Sequence, residues 1–365
     1  MFITKKCAAG FLTGLFMLAG VSSLFANDFS VWAGPKYTLK NGHFNQTVLS
    51  DAGGKDKILT EHSFDENLLS YIGLETGFAW RFISLQADFD WGIPKAMGNM
   101  TEDKHHYDYQ NVINSHKEFD TSLEAENFAL DTALKFDIPV IQNWLNVKPF
   151  LAFSYSISKE SASFTGGRMY AGDSRNDYRP GSYSDKSGWE MSTQPIASAG
   201  NVWYKREMYN LRLGAEVEGT FFNHLFVNIN GQAAPLTFLN SVYSNGTGAY
   251  YLDQFKTFFA WWSFGGGIGG RFGKDNCFEV GVKGQFSFMP SIRGTSFYSS
   301  EEKSGYKEYH DGTFAKTDFS NWQVGIYGKY TFTFGPTHTP RARPAREKKE
   351  KAPKIRDGKV NVKVY

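Results

Sequence analysis

Cysteine is nearly absent. The 365 residues hold two, Cys7 and Cys277, too few for a disulfide framework. Long apolar runs are missing beyond the first 26 residues, and the mean hydropathy of −0.41 excludes a chain built of many membrane helices. Strong net charge is missing as well, with 39 basic against 37 acidic residues. What is abundant is aromatic: 33 Phe, 19 Tyr and 9 Trp, with 37 Gly. That load excludes a disordered chain. It fits one large all-β domain with a wet face and an aromatic face.

The near-neutral total hides two charged ends. Residues 1–26 carry Lys5 and Lys6 ahead of the apolar stretch Ala8–Leu18, then small residues up to Ala26. This is the layout of a cleaved export signal, so residues 1–26 are expected to be removed and Cys277 to remain as the one cysteine. Residues 336–365 hold ten Lys/Arg against Glu347, Glu350 and Asp357. The expected organisation is a signal at 1–26, a barrel domain at 27–335 and a basic tail at 336–365. An exported chain leaves nucleic acid out of the expected partners; an anionic periplasmic polymer suits the tail by charge attraction.

Between these ends the hydrophobic period is two, the signature of strands with unlike faces. Phe128, Leu130, Leu134 and Phe136 alternate with Ala129, Asp131, Ala133 and Lys135. Ile83, Leu85, Phe89 and Trp91 alternate with Ser84, Gln86, Asp88 and Asp90. Phe278, Val280, Val282 and Phe286 alternate with Glu279, Gly281, Lys283 and Gln285. Trp322, Val324, Ile326 and Tyr330 alternate with Gln323, Gly325, Tyr327 and Lys329. Similar segments at about 28–40, 69–80, 147–160, 202–221, 225–236 and 257–272 make ten strands. Each approaches the ~9–11 residues that cross a bilayer at a tilt. Connections alternate short (near Trp80–Phe82, Pro139–Asn146, Phe221–His224, Phe272–Asn276) and long (41–68, 92–125, 161–201, 237–256, 289–318). The fold predicted is an all-β, antiparallel up-and-down transmembrane barrel in the bacterial outer membrane, its apolar face in lipid and its long loops outside. Trp80, Phe82, Trp144, Phe221, Phe222 and Phe272 are expected in one aromatic girdle, and Trp91, Trp203, Tyr204 and Trp322 in the other.

The polar faces collect charge. Glu75, Asp88, Asp131, Lys135, Arg212, Glu216, Glu279, Lys283 and Lys329 are expected to meet in the lumen as a paired network; a narrow water-filled pore is the alternative. Candidate catalytic groups fall in the stretches read as long loops. Glu102, Asp103, His105 and His106 lie in one, and His310 in another. A carboxylate with an imidazole activates water, although solvated loop surface is the simpler reading. Adjacent histidines point apart on regular backbone, so no metal is expected at His105-His106, and no cofactor is called for.

Four short patches occur in an order and spacing that resemble the omptins, the ten-stranded outer-membrane proteases. They are Gly98–Met100 (GNM), Ser163–Thr165 (SFT) followed by two glycines, Tyr204–Glu207 (YKRE) and Gly328–Phe332 (GKYTF). The resemblance spans nearly the whole chain after residue 26 and implies the ten-stranded barrel. Its chemistry is not matched. Where omptins carry two aspartates one residue apart, this chain has Glu102 and Lys104, with Asp103 between them. Where they carry Asp-x-His, the stretch Asn240–Gly248 offers Tyr243 and Asn245 and contains neither histidine nor acid. Near the family's lipopolysaccharide-phosphate site only Lys159, Lys205 and Arg206 are basic. The expectation is therefore a non-catalytic barrel whose loops bind at the cell surface, with a divergent endopeptidase or a small diffusion pore as alternatives.

Overall fold

The computed structural model describes residues 29–51, 56–94, 96–105, 113–141, 144–170, 189–191, 202–222, 224–244, 248–273, 277–301, 305–308 and 312–334. The expected signal and tail, His106, Asn245 and His310 lie outside the described residues.

Ten staves form an antiparallel barrel. They are β1 (Phe29–Ser50), β2 (Lys57–Trp80), β3 (Ile83–Gly92 continued by Ala96–His105), β4 (Ile113–Leu123 continued by Phe128–Phe136) and β5 (Leu145–Tyr170), then β6 (Val202–Phe221), β7 (Leu225–Ser244), β8 (Tyr250–Thr257 continued by Trp261–Phe272), β9 (Cys277–Ser299) and β10 (Thr313–Phe334). Each stave pairs with the next, and β1 closes on β10 from Phe29↔Phe334 to Ser50↔Thr313. Closure leaves no sheet edge unpaired in lipid. Arg81 and Phe222 take positive φ (56° and 53°), which closes the tight turns after β2 and β6.

The staves are longer than the sequence pattern indicates. Uninterrupted ones run 20 to 26 residues. At ~3.3 Å per residue and a tilt near 40° they rise roughly 50–65 Å, about twice an apolar band of ~25 Å. Much of the segments expected as long loops at 41–68, 92–125, 237–256 and 289–318 is thus continued barrel wall.

Two solvents explain why that continuation was hidden. In the half near the short turns the outer face is apolar and exposed: Ile72, Leu85, Leu213, Ile229, Phe264 and Ile326. In the other half the pattern inverts. Phe44, Phe64, Met100, Tyr204, Phe255 and Met289 point inward into a buried core, while Asp65, Asp103, Glu118, Glu207, Lys256 and Lys316 belong to the opposite face. The first half faces lipid and the second faces water.

On several staves the parity also slips. Two residues oppose one at Asn67-Leu68 in β2, at Ala234-Pro235 in β7 and at Pro290-Ser291 in β9. Proline fits a bulge because its missing N–H has no ladder partner to lose there. Each bulge swaps which alternate residues face inward. Tyr204 of β6, expected in the outer girdle, keeps the inward parity of Arg212 and Glu216 without a bulge: it is 2% exposed and packs 4.5 Å from the Phe64 ring.

Candidate functional site at the barrel mouth

The inner face of the water-side half ends in a buried polar layer. Register places His62 of β2 directly opposite Glu102 of β3, and Glu102 opposite Lys117 of β4. His62 Nε2 lies 3.4 Å from Glu102 Oε2, and Lys117 Nζ donates to Glu102 Oε1 at 2.8 Å. From the far wall, the Tyr243 hydroxyl donates to Glu102 Oε2 at 2.8 Å, and its ring sits 4.7 Å from the His62 ring. Glu102 is 3% and His62 5% exposed. Burial works to raise the Glu102 pKa, but His62 and Lys117 outweigh it and hold the carboxyl well below its usual range.

A second carboxylate lies in the same layer. Asp253 of β8 is 2% exposed and accepts from Ser296 and from Gln46, which in turn accepts from the Tyr204 hydroxyl. Burial pushes its pKa up to about 6 against these donors and the nearby His62. Asp253 thus favours a proton where Glu102 refuses one.

The sequence candidates separate by parity. Glu102 faces inward and is buried, a correction to its reading as solvated loop, because residue 102 lies in continued strand. Asp103 and His105 lie on the other face of β3 and cannot join it. Asp103 Oδ1 sits 2.5 Å from His116 Nδ1, whose Nε2 lies 3.2 Å from Glu118. His105 Nε2 lies 2.9 Å from Glu61. His62 was missed because it falls in a stretch read as loop, 40 residues before its partner.

The three basic residues also divide. Arg206 points inward, bonded to Glu66 (2.6 Å) and Glu160 (2.5 Å), with its guanidinium 4.4 Å from the Phe44 ring. Lys205 pairs with Glu207 at 2.7 Å, and Lys159 approaches Glu124 and Glu126 at 3.8 Å.

Below the core, the named lumen charges meet. Lys283 bridges Glu75 (3.1 Å) and Asp88 (3.5 Å), and Lys329 bridges Glu75 (3.2 Å) and Glu279 (2.9 Å). Lys135 holds Glu216 at 2.9 Å, and Arg212 holds Asp131. Lys36 (to Asp90, 2.9 Å), Lys148 (to Glu218, 3.0 Å) and Arg271 (to Glu218, 2.8 Å) extend the network.

Among solved structures, the chain superposes on the outer membrane protease OmpT from Escherichia coli with a TM-score of 0.63, covering 84% of this chain and 97% of that one at 13% identity. The fold is omptin-like. At that identity the likeness is one of fold. The translocator domain of the autotransporter NalP from Neisseria meningitidis matches at a TM-score of 0.31 (11% identity, 88% of this chain and 97% of that one). The outer membrane protein OprG from Pseudomonas aeruginosa matches at 0.28 (12% identity, 84% and 96%). No family model and no curated protein matches the sequence. The omptin-like barrel and its exposed apolar belt make this an outer-membrane protein in contact with membrane lipid.

The mouth is crossed directly, from Tyr243 on one wall to Glu102 on the other.

Proposed function

We propose that the protein is a non-catalytic, non-conducting outer-membrane barrel that carries its extracellular loops on a raised, solid pedestal for binding at the cell surface. The observation that carries this reading is the closed mouth. Tyr243 bridges to Glu102, and beneath them Phe44, Phe64, Met100, Tyr204 and Phe255 fill the interior. Hydrolysis of a peptide needs a water and a scissile carbonyl beside the acid–base pair, and conduction needs a continuous wet path. The packed mouth opposes both. Staves that rise well beyond the membrane support a role for the loops in meeting a large partner. Residues 1–26 act in export, and residues 336–365 tether the periplasmic side to an anionic polymer of the cell wall by charge attraction.

Refolded protein tests this reading. No cleavage of a dibasic peptide library and no single-channel steps in a planar bilayer are expected. Cleavage that disappears in Glu102→Gln and in His62→Ala would replace it with the second reading, a divergent endopeptidase. That reading is favoured by one observation, the His62–Glu102 pair sharing a layer with Asp253. Channel steps would replace it with a diffusion pore.

A further inference from the structure

The ion pairs of the lumen surround a cavity of about 380 Å³ inside the membrane-spanning half. Four buried polar atoms on residues lining it have no protein hydrogen-bond partner: Trp32 Nε1, Asp90 Oδ1, Asp137 Oδ1 and Arg212 Nε. An unsatisfied buried polar atom costs ~1–3 kcal/mol, and four beside one cavity are groups that gain by bonding to water. Within the lumen Asp131 keeps 42% and Lys283 35% of its side-chain surface exposed, although both belong to ion pairs. A dry lumen would impose several kcal/mol of desolvation on each of these charges, which water avoids.

The two ends of this cavity differ. Toward the mouth, beyond its lining, stand Met289, Trp261 and Ala234, each 5% exposed or less, with the aromatic core. Toward the short turns it is bordered by Ala79, Ser84, Asp137, Lys148, Glu218 and Arg271, which are small or charged. Charged side chains hold water at an opening, and packed apolar layers exclude it.

We propose that the lumen is an aqueous vestibule, entered by water and small hydrophilic solutes from the short-turn, periplasmic side and sealed toward the outside by the apolar core. It is a blind chamber and not a channel.

Cysteine accessibility in the full-length protein tests this. In a Cys277→Ser background, Ser84→Cys near the short turns and Gln86→Cys deeper in the lumen report the vestibule; both parent residues line the cavity. Leu213→Cys on the lipid face is the control. A small charged thiosulfonate is added to sided vesicles from either face, and heat-modifiable gel migration verifies that each variant is folded. Ser84→Cys changes one atom, so it serves if the Gln86 variant does not fold. Modification at both lumen sites from the short-turn side alone is the expected result. Modification from neither side makes the lumen a dry plug and overturns the proposal, leaving the non-conducting reading intact. Modification from both sides overturns the proposal and that reading together.

Discussion

The Tyr243 hydroxyl donates to Glu102 Oε2 at 2.8 Å, tying β7 to β3 across the inside of the barrel. This bond joins walls that are not neighbours in the sheet, so it holds the mouth shut in a direction the backbone ladder does not control. Tyr243→Phe keeps the ring against His62 and removes only the donor. Leaving a buried carboxylate one bond short costs ~1–3 kcal/mol. The urea midpoint of the refolded barrel is expected to fall accordingly, and a variant as stable as the parent would show that the bond holds nothing.

Glu102 itself should matter more. Its carboxylate serves Lys117, Tyr243 and His62 at once, so Glu102→Ala strands a partly buried ammonium and a buried phenol. The expected loss is ~3–5 kcal/mol. Glu102→Gln is expected to lose less, because the amide oxygen still accepts from Tyr243. The order Ala worse than Gln, read from equilibrium unfolding, checks the geometry.

Asp253 gives the mouth a pH dependence. Its unfolded value is 3.8, and burial pushes it up to about 6 in the fold. Between those values the folded barrel keeps a proton that the unfolded chain releases. The stabilisation is therefore full below the unfolded value and is lost as pH rises through about 6. The difference corresponds to about 3 kcal/mol. Subtracting the unfolding curve of Asp253→Asn from that of the parent at pH 4, 5, 6 and 7 isolates this contribution. Glu102, held low, contributes in the opposite sense, and its share is lost as pH falls below its unfolded value of 4.5.

On the outer wall, His116 lies between Asp103 and Glu118. Burial works to lower its pKa, but the two carboxylates win and raise it above 6.5. Its contribution to stability is present below 6.5 and fades as pH rises through the raised value; solvent screens it, so the effect on stability is small. The ring resonance gives the direct check. His116 is expected to titrate later than a free histidine, and Asp103→Asn to bring it down.

In the lumen, Glu75 is shared by Lys283 and Lys329. Glu75→Leu removes the carboxylate between two cations and leaves Lys283 to Asp88 and Lys329 to Glu279, and should destabilise by ~1–3 kcal/mol. Adding Lys283→Met to Glu75→Leu is expected to recover part of that loss. A double variant no more stable than the single one would mean the pairing carries no weight.

The sequence made the lipid-facing half legible because lipid enforces one rule, apolar outward at every second residue, seen in Ile83–Trp91 and Phe278–Phe286. The mouth obeys a different rule. There Phe44, Phe64 and Phe255 turn inward, and the bulges at Leu68, Pro235 and Pro290 break the count, so a fixed period run through them averages to nothing. Glu102 was legible through its GNM patch. His62 was not, because no local pattern connects residues 62 and 102; only the β2–β3 register does. Tyr243 stands in the sequence only as one residue of the Asn240–Gly248 stretch; that it spans the mouth is a property of the closed barrel.

The reversal of polarity along each stave also fixes depth. Moved outward by one layer, the barrel would expose Ile72, Leu213 and Ile326 to water; moved inward, it would carry Asp65, Glu118 and Lys316 into lipid. Each direction raises the free energy, so the staves themselves set the height of the loops above the bilayer. A bilayer thinner than the apolar band would have to thicken around this protein rather than let it sink.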